Sequence, residues 1–266
     1  MNAPSMLRIS SRDNALIKDL RRLSQENGAY RKQQRYWAEG DHLCRAALVR
    51  GMRPDIAVFA ESFLSAARTE YVQAATKNIV VPDALFHEIS GLESPASMGY
   101  VFALPRDQGL KPGVATVILD RVQDAGNVGS ILRSASAFGV EQVLALKGTA
   151  ALWGSKVLRA GMGAHWGLRL FEGFTFANLD GLDLPIVVTS SHRGEFLHVA
   201  QYTNQLPNPC AWVFGHEGQG VCTELEAMAR VHIRIAQPGG EESLNVGAAA
   251  AICLHASASQ APSVRA

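Results

Sequence analysis

The sequence predicts an α/β protein: a mostly parallel β-sheet with helices on both faces, preceded by a small α/β module. Three observations carry that prediction. Apolar, β-branched runs of strand length recur at VATVILD (114–120), VEQVLAL (140–146), PIVVTS (185–190), AWVFG (211–215) and VHIRIA (231–236). Helical stretches separate them, and strands that are apolar throughout belong to sheets buried on both faces. The polar stretch PRDQGLKPG (105–113), rich in proline and glycine, divides this region from the one before it.

From the N-terminus, DNALIKDLRRLSQEN (13–27) has helical spacing. Leu16, Leu20 and Leu23 form one stripe, Lys18, Arg21 and Arg22 lie off it, and Asn27-Gly28 supplies the stop. A helix near 39–50, a strand at DIAVFA (55–60), a helix near 61–76 and a strand at NIVVP (78–82) follow, in a module ending near Leu104. The predicted division is a first domain over 1–105, a linker over 106–112 and a second domain over 113–266. In open parallel sheets ligands bind beyond the carboxyl ends of the strands, which directs attention to the loops that follow them.

After VATVILD comes RVQDAGNVGSILRSASAFGV, where the Gly126-Asn127-Val128-Gly129 turn opens a helix. Asn127 is placed to cap it, and Arg133 lies in its second turn. After AWVFG comes Gly215-His216-Glu217-Gly218-Gln219-Gly220, whose glycines let the backbone turn tightly and approach a ligand. Glu217 in its middle reads equally as a helix-start acid. After VHIRIA comes QPGGEESLNVG, where Ser243 is placed to cap the helix LNVGAAAAICLHA. That leaves Asn245 inside the first turn, where asparagine is a poor helix former, so a site role is credible.

Composition sets bounds on the partners. The formal net charge is only +1, yet residues 1–40 hold eight Lys or Arg against four acids. That local excess suggests a polyanion such as nucleic acid, contacted through Arg12, Lys18, Arg21, Arg22, Arg31, Lys32 and Arg35; a solvated helix face is the plain alternative. No run reaches the roughly 18 apolar residues of a membrane span, and the N-terminus lacks the apolar middle of a signal peptide. The four cysteines form no CxxC pair, which predicts neither a metal site nor a disulfide framework and fits a reducing cytoplasm. GxGxxG after a first strand, GxxxxGK[ST] and GxSxG are all missing, and His216-Glu217 lacks a following PCxxC. The common dinucleotide, P-loop, hydrolase and zinc-deaminase signatures are thereby excluded.

Together NVGSILR (127–133), GHEGQG (215–220) and IAQPGGEESLNVG (235–247) resemble the three signature motifs of the SpoU/TrmH family, S-adenosylmethionine-dependent RNA ribose 2′-O-methyltransferases of the SPOUT superfamily. The N-terminal SSRDNALIKDLRRL and WAEGDHLCRAAL also look like the ribosomal-protein-like substrate-binding domain of many members. The resemblance implies a C-terminal trefoil knot, a homodimer with the site completed across the interface, and a ribosomal RNA substrate in preference to transfer RNA. It implies Asn127, Arg133, Glu217, Ser243 and Asn245 as catalytic residues, and Gly215, Ile235, Leu244, Thr189 and Ala236 as S-adenosylmethionine contacts. Arg133 has two open roles: a deprotonated base, or a cation that clamps the adjacent phosphate. Two departures stand out. The third motif starts Ile235-Ala236-Gln237-Pro238 where members often have Ile-Pro-Met, and His216 replaces a small residue, a tolerated variation on this reading. A non-catalytic RNA-binding or ribosome-assembly protein of the same fold, and a small-molecule enzyme on the same sheet, are the competing classes.

Overall fold

The computed structural model describes residues 6–64, 69–92, 94–106, 109–240 and 243–260, apart from the side chains of 178 and 180. The chain forms two compact units. The first comprises residues 1–106 and 153–166, the second 107–152 and 167–266.

In the first unit the elements are β1 (Met6–Arg8), α1 (Ala15–Gln25), α2 (Ala29–Gln33), β2 (Arg35–Glu39), α3 (Asp41–Val49), β3 (Ile56–Ala60), α4 (Glu61–Leu64), α5 (Thr69–Ala74), β4 (Lys77–Val81), α6 (Asp83–Ile89) and β5 (Met98–Ala103). The sheet runs β1-β4-β3-β5-β2, with β1, β4 and β3 parallel and β5 antiparallel to both β3 and β2. α1 starts at an Asn14 cap, whose side chain accepts from the Leu16 amide. Its buried stripe is Ile17, Leu20 and Leu23, so the predicted Leu20 and Leu23 hold while Ile17 takes the place of Leu16, which is half-buried. The predicted helix near 61–76 appears as α4 and α5; its residues 65–68 lie outside the described ones.

The second unit carries β6 (Thr116–Leu119), α7 (Ala125–Ala137) and β7 (Gln142–Leu146). The chain then contributes α8 (Ser155–Gly161) to the first unit, and returns for β8 (Arg169–Phe174), β9 (Ile186–Thr189), β10 (Glu195–Phe196), α9 (Leu197–Tyr202), β11 (Ala211–Phe214), α10 (Thr223–Met228), β12 (Val231–Arg234) and α11 (Val246–Gln260). Residues 153–166 thus pack with the first unit, although a single division at 106–112 would place them in the second. Their anchors are the Trp153 ring against Tyr36, Trp166 Nε1 donating to the Tyr36 hydroxyl, and Ser155 Oγ donating to the Ser24 carbonyl.

The second sheet has the order β10-β12-β9-β11-β6-β7-β8, and every described pairing in it is parallel. β6, β7 and β11 are buried along their whole length, as strands covered on both faces require. Ile118, Leu144, Val188, Val213 and Leu225 form its core on one face, each removed from water with a gain of about 1.5–3 kcal/mol. On α7, Val128, Ile131, Leu132 and Ala135 are buried, and α11 packs against this helix. The carboxyl ends of β12, β9, β11 and β6 therefore lie side by side, and the glycine-rich loops emerge there.

Candidate active site

The N-cap of α7 is Asp124, whose Oδ1 accepts the Asn127 backbone amide at 2.7 Å; Asn127 is not the cap. A carboxylate is favoured there because the helix N-terminus is electropositive. Asn127 is left with its whole side chain for other partners. Its Nδ2 donates to Glu217 Oε1 at 3.1 Å, and its Oδ1 accepts from Asn245 Nδ2 at 2.9 Å. Asn245 Oδ1 accepts the Gly247 and Ala248 amides at 2.9 and 3.2 Å, so Asn245, and not Ser243, caps α11. The helix starts later than the sequence suggests, and the capping position moves with it.

This chain of bonds has a forced direction. A carboxylate can only accept, and the free amides of a helix N-terminus can only donate. Between those ends each asparagine must present its NH2 toward Glu217 and its oxygen toward α11, so flipping either amide breaks the sequence of donors and acceptors. The result joins the loops after β6, β11 and β12, which are distant in sequence.

Glu217 binds the loop before α7 at two further points, accepting the Gln123 and Asp124 amides at 3.2 and 3.1 Å. Partial burial pushes its carboxyl pKa up, but the Asn127 amide and the surrounding backbone N–H groups outweigh that and bring it below its ordinary value. The loop itself is closed by His216, which exchanges backbone bonds with Gly220 and accepts the Gly218 and Gln219 amides on Nδ1. His216 thus ties the loop to itself through its ring nitrogen. Gly215 is required sterically: a Cβ would lie 2.3 Å from the Gly220 carbonyl carbon.

A second tie, missed in the sequence, runs through Asp120 and Arg121. Asp120, almost fully buried at the end of β6, accepts from Arg121 Nε at 2.8 Å and Nη2 at 3.1 Å, and from the Cys222 amide at 2.7 Å. Arg121 also donates from Nη1 to Gln219 Oε1 at 2.9 Å and holds a left-handed backbone, φ 58°. A non-glycine residue there costs about 1–2 kcal/mol, which these charge-assisted bonds offset. The available signal was an acid placed where an apolar strand ends.

The remaining site candidates are distributed unevenly. Ile235, Thr189 and Gly215 follow one another across the carboxyl ends of β12, β9 and β11, and Thr189 Oγ1 donates to the Val213 carbonyl at 3.0 Å. Ala236 is exposed and Leu244 is 38% exposed beside them in sequence. Gln237 Oε1 is buried with no hydrogen-bond partner among the described residues. Ser243 and Arg133 are exposed, and neither side chain makes a hydrogen bond among the described residues. The structure thus gathers Asn127, Glu217 and Asn245 and leaves Arg133 outside their network.

In the first unit most of the predicted RNA contacts are engaged at the surface. Arg12 and Arg21 reach Glu88 at 4.0 and 2.8 Å, Lys18 pairs with Asp13, and Arg22 pairs with Asp19. Arg31 lies over the Tyr30 ring, while Lys32 and Arg35 are exposed. Exposed pairs of this kind contribute about 0–1 kcal/mol each and exchange readily for a phosphate.

Comparison with known proteins converges on one family. Residues 115–255 match the model of the SpoU rRNA methylase family, and residues 14–99 match that of the MRM3-like substrate binding domain. The 23S rRNA (guanosine(2553)-2′-O)-methyltransferase RlmP of Bacillus subtilis (strain 168) is 27% identical over 253 residues, 94% of this chain and 98% of that protein. The crystal structure of an RNA 2′-O ribose methyltransferase superposes with a TM-score of 0.76 at 26% identity, over 96% of this chain and 99% of that one. An AdoMet-bound rRNA methyltransferase from Sinorhizobium meliloti, 24% identical, shares the fold with a TM-score of 0.79 over 97% of this chain and 99% of its own. With more than half its length inside the family match and the three glycine-rich segments at adjoining strand ends, this chain belongs to the SpoU rRNA methylase family.

Proposed function

We propose that this protein transfers a methyl group from S-adenosylmethionine to a ribose 2′-hydroxyl of ribosomal RNA. The observation that carries the reading is the directed chain Glu217–Asn127–Asn245, which holds three strand-end loops in one arrangement. The family and the ribosomal RNA named for its relatives support the substrate class.

The residues fit the methyl donor. A buried acceptor without a donor, Gln237 Oε1, stands in the loop after β12, and S-adenosylmethionine offers amine and hydroxyl donors. Gly215, Ile235, Leu244, Thr189 and Ala236 would hold it. When bound, it supplies a methyl carbon on a sulfonium, open to in-line displacement. This chain's part is alignment: Asn127 and Asn245 fix the loops so that the ribose oxygen meets that carbon in line. A guanidinium presents a planar fork of donors that matches a phosphate, so the phosphate clamp is the better of Arg133's two roles. Bound to the neighbouring phosphate, it favours the ionised hydroxyl and strengthens the nucleophile. Glu217 is a positioning residue, and Ser243 is exposed in the loop between β12 and α11.

The first unit docks RNA through Arg12, Lys18, Arg21, Arg22, Arg31, Lys32 and Arg35. The C-terminal segment is knotted, a reading supported by the return of α11 to pack on α7 after β12 forms beyond β9. The protein is a homodimer. α11 is rich in alanine and leaves Ala248, Ile252 and His255 on one exposed stripe, with Ile252 42% exposed, a surface suited to a second copy. Arg133, outside the network of its own chain, would then serve a site completed by the partner. Four free cysteines fit a cytoplasmic setting. Among the described residues no helix is long and apolar enough to cross a membrane.

The test is a map of 2′-O-methyl marks on total RNA from cells with and without the protein. One ribosomal mark should vanish and return with the wild-type protein but not with Arg133→Ala. A map unchanged by deletion would overturn the proposal.

A further inference from the structure

The margin of the seven-stranded sheet carries a row of side chains that the reaction does not use. β10 is the edge strand, and its Phe196 stands opposite Arg234 of β12. The Arg234 guanidinium lies over the Phe196 ring, 4.3 Å from its centroid. The His198 ring stacks on Phe196 at 5.8 Å with an interplanar angle of 26°. Tyr202 follows one turn later on α9, on the same face as His198, and is 93% exposed. In the other direction, His232 shares the Arg234 face of β12, and its Nε2 lies 2.7 Å from Arg193 Nη2. Arg193, His232, Arg234, Phe196, His198 and Tyr202 thus form one continuous row in which cations and rings are interleaved.

Local geometry keeps the row in place. Gly194 has φ +104°, and a Cβ there would lie 2.2 Å from the His232 carbonyl oxygen, so only glycine lets this loop lie flat on β12. Arg193 also pairs with Glu226 at 3.0 Å, and Arg234 Nε donates to the Gly194 carbonyl at 3.0 Å. Arg234 has no carboxylate partner among the described residues, and its charge remains available.

We propose that this row is a track for single-stranded nucleotides flanking the methylated ribose. Bases would stack on Tyr202 and His198, and a phosphate would sit on Arg234. The inference rests on the methyltransferase reading above. Rings set beside cations are what binding of a single strand without regard to sequence requires, since every base has a π-face and every linkage a negative charge. A protein partner would instead have to desolvate those cations. The place also fits. Arg234 and Phe196 end β12 and β10 at the same edge of the sheet as Gly215, and β12 lies two strands from β11, about 10 Å at the usual strand spacing.

The experiment measures binding of a labelled mixed-sequence 12-nucleotide single-stranded RNA, alongside calorimetry with S-adenosylmethionine and the oligomeric mass. The double variant Tyr202→Ala/His198→Ala should bind the RNA about tenfold or more weakly, while Tyr202→Phe, which keeps the ring, stays within about twofold of wild type. Donor affinity and mass should be unchanged in both, since these side chains are exposed. Equal RNA affinity of wild type and the double variant would overturn the track, and a changed mass with unchanged RNA affinity would assign the face to a protein. Ribosomal marks present alongside neutral variants refute the track alone. RNA binding that depends on Tyr202 without any mark leaves the track standing and refutes the methyltransferase reading.

Discussion

Asn245 allows two functions of one side chain to be separated. Asn245→Ala removes the cap of α11, about 1 kcal/mol, and the exposed bond to Asn127, about 0.5–1 kcal/mol. The sum, about 1.5–2 kcal/mol, corresponds to a fall in Tm of about 3–8 °C for a unit of this size. Asn245→Asp keeps an acceptor for the Gly247 and Ala248 amides and gains about 0.3–1 kcal/mol from the helix dipole. It faces Asn127 Oδ1 with a second acceptor, however, so the link is lost. Its net stability should lie within about 1 kcal/mol of wild type. Methyl transfer should fall in both variants by about 10- to 100-fold, because a loop misplaced by about 1 Å costs that much. Thermal melts and single-turnover transfer with a ribosomal RNA fragment read the two effects separately. Wild-type turnover by Asn245→Asp would refute the reasoning, as would an Asn245→Ala protein as stable as wild type.

Glu217 and Gly215 give further expectations. The Glu217 carboxyl is held below its ordinary value of 4.5, so the folded state releases its proton more readily than the unfolded chain. Its stabilisation is complete above that value and is lost as the pH falls through the lower folded-state value. The stability gap between wild type and Glu217→Gln, read by urea unfolding, should therefore narrow below pH 4.5; a constant gap from pH 7 downward would contradict the charge-assisted bonds. Gly215→Ala places a methyl against the backbone of Gly220 and Val221, which cannot rotate away, and should cost about 1–3 kcal/mol. Calorimetry should find weaker binding of S-adenosylmethionine by that variant; full affinity would show that the loop has room to give.

Much of the second unit was legible because β6, β7 and β11 are buried on both faces and so read as unbroken apolar runs. β2 (RYWAE) and β8 (RLFEGF) mix charges with rings and escaped that pattern. The destination of α8 was illegible, since nothing local in SKVLRAG states which core will receive it. In the site, Asn245 stood out as a polar residue poorly explained by its own helix, whereas Asn127 read equally as a cap and Glu217 as a helix-start acid. The caps were misassigned for a simple physical reason. Asp124 and Asn127, like Ser243 and Asn245, are all competent caps, and a helix start displaced by two or three residues exchanges their roles. Asp120, Arg121 and His216 were invisible because their work depends on pairings across about a hundred residues, or on a ring nitrogen turned back onto its own loop.

The excursion of residues 153–166 means that no single cut of the polypeptide releases the first unit whole. A fragment ending at Arg106 would be deprived of Trp153 and Trp166, uncovering Tyr36, which is fully shielded in the intact chain. Such a fragment would present a sticky aromatic surface and lose solubility. To obtain it in isolation, α8 and its flanking tryptophans would have to be grafted back through a new join.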